Sequence, residues 1–385
     1  MRRVVFWASA ALVAWTYIGF PLALLARARL RPLPIRAGGG PTPSVSLLIA
    51  AHNERASIAA KLDNALALEY PPDQLEIVVA SDGSVDGTEE IVRQYADRGV
   101  RLLALDRVGK AEALNRAASA TTGEILVFSD ANSEYERVAL RALLAPFADP
   151  TVGGVAGNQR YRRGSVGVAA AEGERAYWSF DRLLKEAEST AGSTISATGA
   201  IYAVRRSLFS GVPVGVTDDF AVSTAVIAQG YRLVFAADAV AWESVSGSGG
   251  IEWGRKVRII TRGLRGVMLR RSLLDPRRHG FYSVQLLTHK LLRRLMGVPL
   301  LLMALIAPTL WGAGWVYRAA TLLHWGIAGA GTLGLLLAGR GTRSKLLGPP
   351  AFFVMANAAA LTAAWNVLRG RRIDRWEPVR DDGKL

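Results

Sequence analysis

Four long apolar runs and one alternating stretch set the plan of this chain. Val4 to Leu25 carries no charge over about 22 positions, enough for a helix to cross a hydrocarbon core. Three more runs lie toward the other end, at about Leu295–Val316, Ala319–Ala338 and Leu346–Leu368. Runs this long and rich in Gly and Ala favour membrane helices over buried core helices. A secretory leader is the rival for the first run, and Ala26-Arg27-Ala28 looks like a small-residue cleavage site. Leader h-regions stop at about 7–15 residues, so an uncleaved anchor is expected. Between the first run and the others, short strand-like runs at Val45–Ala50, Leu75–Ala80, Val100–Leu105 and Glu124–Ser129 alternate with helical spacing. Ile58, Leu62, Ala65 and Leu66 share one side of a helix expected over Glu54–Leu68, and another is expected over Gly109–Ala120. Asp86-Gly87-Thr88-Glu89 reads as a helix start with Asp86 at the N-cap. This alternation predicts an α/β fold, a mixed and mainly parallel sheet with helices on both faces, plus transmembrane helices at both ends.

The expected organisation is an anchor over 1–30, a Pro/Gly-rich linker over 31–43, a catalytic-type domain over 44–245, an amphipathic interfacial segment over 246–290, about three membrane helices over 291–368 and a basic tail over 369–385. Lys and Arg number 47 against 32 Asp and Glu, a formal charge of +15. Such an excess favours anionic partners. Arg27, Arg29, Arg31 and Arg36 follow the first apolar run, and Arg369, Arg371, Arg372 and Arg375 follow the last. Charge beside membrane-length runs points to membrane lipids, and no basic recognition motif points to nucleic acid. The positive-inside rule then places the domain in the cytoplasm, on a multi-pass protein of the cell membrane. The loop with Arg340, Arg343 and Lys345 lies across a single run from the basic tail, so both clusters cannot obey that rule. A re-entrant stretch, with Pro349-Pro350 suited to a break, is one resolution. Cysteine is absent, which excludes disulfides, thiolate metal sites and Cys nucleophiles.

The chemistry-bearing clusters stand mostly where strand-like runs stop, and ligands of open α/β sheets bind beyond strand carboxyl ends. They are Ala51-His52-Asn53-Glu54, Ser81-Asp82-Gly83-Ser84, Gly109-Lys110-Ala111, Ser129-Asp130-Ala131-Asn132 and Thr217-Asp218-Asp219-Phe220. Asp82 before a glycine turn suits hydrogen bonds from a base or ribose, or a plain Asx-turn with a helix cap. The oxygens of Asp130 and Asn132 suit Mg²⁺ or Mn²⁺, which commonly combine one or two carboxylates with substrate phosphates; a loop capping the next helix is the alternative. Asp218-Asp219 at a helix start is favoured by the helix dipole alone. It also suits a general base, because like-charge neighbours raise one of the two pKa values. Trp253 to Arg271 is amphipathic, with Trp253, Val257, Ile260, Leu264 and Val267 on one stripe and Arg255, Arg258, Arg262 and Arg265 on another. Such a helix lies naturally at a lipid interface, and its arginines can also neutralise a departing diphosphate. His52 and His289 lack a nearby His or Glu at metal-ligand spacing.

In this order and spacing the clusters resemble those of family 2 glycosyltransferases with the GT-A fold, in particular membrane-embedded members related to cellulose, hyaluronan and chitin synthases. The likeness covers about Ser44 to Arg271 and the flanking membrane segments. It implies inverting transfer of a sugar from a UDP-sugar donor to a lipid-linked or polysaccharide acceptor. It also implies donor-nucleotide contacts at His52, Asn53, Glu54, Asp82, Gly83, Lys110 and Asp130, and metal ligation at Asp130 and Asn132. Gly199 and Ala200, in Ser196-Ala197-Thr198-Gly199-Ala200, fall where an acceptor site is lined. Asp218, Arg255, Arg258 and Arg262 fall near acceptor and diphosphate. Asp219, the last residue of Thr217-Asp218-Asp219, matches the catalytic base. Two departures stand out. Asn132 replaces a second Asp, and Arg255 and Ile259 replace a Gln and a Trp associated with processive synthesis, leaving Arg258. Few spans for a channel suggest a partner membrane protein or a homo-oligomer. A protein of another class, keeping the fold to bind nucleotide sugar or scaffold an assembly, is the alternative.

Overall fold

One sheet of eight strands, ordered β3-β2-β1-β4-β7-β6-β8-β5, forms the centre of the described residues, with the Asp82 and Asp130 clusters at strand ends and the Lys110 and Asp218 clusters at helix starts. The computed structural model describes residues 1–36, 42–162, 168–243, 249–340, 344 and 346–371. The strands are β1 Val45–Ala51, β2 Leu75–Asp82, β3 Val100–Leu105, β4 Ile125–Asp130, β5 Glu134–Tyr135, β6 Val152–Tyr161, β7 Tyr202–Arg205 and β8 Arg232–Glu243. β1 runs parallel to both β2 and β4, and β2 parallel to β3. Their carboxyl ends therefore share one edge, with Asp82 and Asp130 as final residues. β7 enters antiparallel between β4 and β6, β6 runs parallel to β8, and β5 is antiparallel to β8. Every residue of β1 is buried, which explains its unbroken apolar reading: a parallel strand covered on both faces does not alternate.

Helices cover both faces. Ile58–Leu66 and Ala139–Leu144 pack one side through Ile58, Leu62, Ala65, Leu140 and Leu143. Lys110–Ser119 and Asp218–Ala228 pack the other through Ala113, Leu114, Ala117, Val222 and Val226. The first of these helices starts at Ile58 rather than Glu54. The backbone N–H groups of Asn53, Glu54 and Arg55 donate across to Ser84, Thr88 and Asp86 instead of to helix ladders, and Asn53 takes a positive φ of 52°. The N-cap of Thr88–Arg93 is Gly87, not Asp86. Asp86 acts one position earlier, accepting from the Thr88 N–H at 3.1 Å.

Among the described residues three helices are long and apolar enough to cross a membrane: Arg2–Leu30, Trp315–Gly339 and Gly348–Leu368. Phe281–Leu295 and Gly297–Ala313 form a pair bent by 49° and give a fourth span if taken as one. The bend falls at Met296, while Pro349-Pro350 sit in the first turn of an unbroken helix. That position tolerates proline because its N–H has no helical partner anyway. Trp315–Gly339 and Gly348–Leu368 meet closely at Gly334, where a Cβ would stand 2.7 Å from the Leu347 carbonyl. The helix Gly249–Leu269 packs against the protein along one side and leaves Ile259, Met268 and Leu269 exposed. Val257, Leu264 and Val267 are buried, Gly266 lies against the Phe220 ring, and Lys256 sits 4.7 Å over the ring of Phe352 on the last helix. Val257, Leu264 and Val267 of its apolar stripe are covered by protein, while Trp253 and Ile260 are half-buried.

Candidate active site

The ends of β1 and β2 are locked together before any ligand is considered. His52 Nδ1 donates to the Asp82 carbonyl at 2.8 Å, and the Val85 N–H donates to Asn53 Oδ1 at 2.8 Å. Gly83 turns the chain at a φ of +63°, a conformation costly for residues with a Cβ. A Cβ there would also stand 2.9 Å from the Arg107 backbone nitrogen. Asp82, 1% exposed, accepts at Oδ1 from the N–H groups of Val108 and Gly109, both at 2.7 Å, and pairs with Arg107 through Oδ2. Its carboxylate thus fixes the loop that delivers Lys110. A base-binding role for Asp82 requires exchanging those N–H groups for a ligand.

Lys110 is the meeting point. Its Nζ lies 2.7 Å from Asp130 Oδ1 and 3.2 Å from Asp218 Oδ1. Burial alone lowers its pKa, but the two carboxylates outweigh that and raise it. The ammonium is therefore permanently charged, the state needed to meet a phosphate. Tyr202, buried in β7 and stacked on Phe128 at 4.7 Å, donates its hydroxyl to Asp218 Oδ2 at 3.3 Å. Gly199 lies against the same centre: a Cβ there would stand 3.0 Å from Asp130 Oδ2. The Ala200 carbonyl, just beyond, accepts from Ser133 Oγ at 3.2 Å.

Asp219 shares the helix start with Asp218. Burial first, and the Asp218 charge second, raise its carboxyl pKa, against Lys290, Thr217 and the Phe220 N–H, which lower it. A raised carboxylate is the stronger base. On the other side, Asn132 is exposed and Asp130 is partly so. Among the described residues no three His, Cys, Asp or Glu side chains gather to hold a metal. Asp130 and Asn132 still offer hard oxygens at an accessible edge, a donor set that fits Mg²⁺ or Mn²⁺ completed by substrate phosphates.

Gly249–Leu269 brings its arginines to this edge. Arg255 is close enough to Glu243 to lower that carboxyl's pKa. Arg262 Nη2 donates to the Val216 carbonyl at 2.8 Å, bracing the loop before Asp218. Arg258 lies one turn from each on the same helix.

Two charged groups escaped the sequence reading. Glu243 ends β8 and accepts from Gln159 Nε2 at 2.6 Å. Burial, then Asp130, push it up to about 7. Lys61, 1% exposed, lies under the Asp130–Asn132 loop, donating to the Ser133 carbonyl at 2.7 Å over the Tyr135 ring at 4.1 Å. Burial lowers it to about 7, against Asp130, Glu243 and Glu134. The available signal was a lysine on the apolar side of Ile58, Leu62 and Ala65.

The sheet order, with a nucleotide-type crossover half and acidic strand ends, defines a GT-A fold. A mannosyltransferase from Pyrobaculum calidifontis, solved in complex with GDP-Man and Mn2+, matches 96% of this chain and 100% of its own at a TM-score of 0.73 and 28% identity. Residues 46–212 match the family described as glycosyl transferase family 2. Poly-beta-1,6-N-acetyl-D-glucosamine synthase of Staphylococcus aureus is 28% identical over 223 residues, covering 56% of this chain and 53% of the synthase. The same synthase of Staphylococcus epidermidis is 28% identical over 235 residues, 59% and 56% of the two chains. The matched region thus spans about half the length of these curated relatives.

Proposed function

We propose that this protein is a multi-pass membrane glycosyltransferase with its GT-A domain in the cytoplasm. It transfers a sugar with inversion from a nucleotide-linked donor to a lipid-linked or polysaccharide acceptor. The observation that carries the reading is the Lys110 ammonium between Asp130 and Asp218, beside a carboxyl, Asp219, whose pKa is raised. Lys110 and Arg258 bind the donor diphosphate and neutralise charge as the anomeric C–O bond breaks. Asp219 accepts the proton of the acceptor hydroxyl, whose oxygen forms the new bond from the face opposite the leaving diphosphate. Asp130 and Asn132 would hold a divalent ion, which supplies charge compensation at the phosphates. Gly199 lines the acceptor side, packed so closely on Asp130 that a Cβ would stand 3.0 Å from its Oδ2, with Ala200 buried behind it.

A UDP-linked donor follows from the resemblance to synthases. GDP-mannose is the second reading, favoured by the whole-chain likeness to a protein solved with GDP-Man and Mn2+. The test is nucleotide release by purified protein across UDP-sugars and GDP-mannose, with Mg²⁺ or Mn²⁺ and a membrane lipid extract. Asp219→Asn is expected to abolish transfer while leaving nucleotide binding nearly intact. Loss of binding together with activity rules out the base assignment. A variant and wild type both silent across the panel, with nucleotide bound, favour a non-catalytic protein that keeps the fold.

A further inference from the structure

The segment that carries the chain from the catalytic domain to its C-terminal membrane helices is bonded directly to the loop entering the acceptor side. Phe281–Leu295 runs beside residues 193–197; two buried hydrogen bonds join them directly, and a third contact reaches the same loop through Glu188. Tyr282 donates its hydroxyl to the Ile195 carbonyl at 2.9 Å. Gln285 Nε2 donates to the Ser193 carbonyl at 3.1 Å. His289 Nδ1 lies 2.7 Å from Glu188 Oε1, and Glu188 Oε2 accepts from the Ile195 N–H at 2.9 Å. A carboxylate only accepts, so Nδ1–H points at Glu188, while His289 Nε2 faces Arg293 at 2.9 Å and Asp181 Oδ1 at 3.7 Å. Glu188 is 0% exposed and cannot borrow water. The Thr194 hydroxyl supplies its remaining donor, at 3.3 Å.

These bonds exceed what an anchor requires. An anchor needs apolar surface against lipid, whereas buried polar groups are retained only where they fix a geometry. Here each bond ends on a backbone atom of one loop, or on the carboxylate that holds it. Three residues after Ile195 begins the Thr198-Gly199-Ala200 turn packed on Asp130. The next residue along the helix, Lys290, sits 5.8 Å over the ring of Phe220, the neighbour of Asp219. Part of the stretch, Leu286–Leu292, is π-helical, a distortion that recurs where a helix must aim particular side chains.

We infer that Tyr282, Gln285 and His289 are positioning residues for the acceptor site, setting the 193–200 loop through Ser193, Ile195 and Glu188. The inference rests on the reading of Gly199 and Ala200 as the acceptor side. None of these bonds ends on Lys110 or Asp130 itself.

The test compares Tyr282→Phe, which removes one hydroxyl and little volume, with Tyr317→Phe, which loses the hydroxyl that accepts from Trp7 at 3.2 Å far from this loop. Full-length protein in detergent micelles is followed by amide hydrogen exchange over 193–200, and by nucleotide release with and without a titrated membrane lipid extract. Tyr282→Phe should speed exchange over 193–200 and raise the half-saturating extract concentration about five-fold, the size expected for one buried hydrogen bond. Release to water alone, and nucleotide affinity, should stay within about two-fold, inside the range of a surface substitution. Tyr317→Phe should move none of these. Unchanged exchange over 193–200 in Tyr282→Phe overturns the inference, as does an equal effect from Tyr317→Phe. Exchange decides the matter even if the extract holds no acceptor. Failure of the enzyme reading itself appears elsewhere, as nucleotide release indifferent to Asp219→Asn.

Discussion

Lys61→Met isolates the buried ammonium beneath the site. Lys61 titrates near 7 instead of 10.5 because burial outweighs three carboxylates. A shift of that size corresponds to about 5 kcal/mol against the charged form, of which about 4 kcal/mol is felt at pH 7. The sign follows from proton counts. Between about 7 and 10.5 the unfolded chain binds more protons at this residue than the folded one, so stability rises with pH across that window. From pH 7 to pH 9 the contribution is about 2 kcal/mol. Methionine keeps the length and apolar stem but strands the Ser133 carbonyl, which costs about 1–3 kcal/mol at every pH. The variant should therefore match or exceed the wild type at pH 7 and lose that advantage by pH 9. Thermal unfolding of detergent-solubilised protein at the two pH values measures the difference. A deficit of equal size at both would show Lys61 in one charge state throughout and refute the reasoning.

Lys290→Met removes a positive charge that lowers the Asp219 pKa, so the acid limb of the pH–rate profile should move to higher pH; an unmoved limb separates Lys290 from the base. Gly83→Ala imposes a Cβ at φ +63° and 2.9 Å from the Arg107 nitrogen. It should cost about 1–3 kcal/mol of stability and weaken nucleotide affinity by displacing the 107–109 loop, read by denaturation and equilibrium binding. Unchanged affinity would detach that loop from donor binding.

The strand ends were legible because a run covered on both faces is continuous in sequence and stops where polar chemistry begins. The clusters at Asp82 and Asp130 announce themselves in that way, while Lys110 and Asp218 open helices. Lys61 did not, since its partner Ser133 lies 72 residues away and only the fold brings the two together. Glu243 ends a strand with no motif around it. His289 was set aside as a ligand for want of a nearby Glu; its partner, Glu188, is 101 residues distant, and the contact is a hydrogen bond. The stripe of Val257, Leu264 and Val267 was legible as a stripe. Periodicity does not say what covers it, and Val267 packs in one buried cluster with Phe220, Tyr282 and Leu286 from other parts of the chain. The bend at Met296 was equally hidden: His289, Lys290, Arg293 and Arg294 precede it, so the apolar run begins only at the second helix of the bent pair.

The central claim is that Asp219 is the base of a sugar transfer whose donor is held at Lys110 and Asp130. The most direct test measures nucleotide release and nucleotide affinity side by side for wild type and Asp219→Asn, in lipid extract with Mg²⁺ or Mn²⁺, across UDP-sugars and GDP-mannose. The account predicts metal-dependent release from one donor, lost in the variant while affinity holds. Release that persists in Asp219→Asn contradicts it.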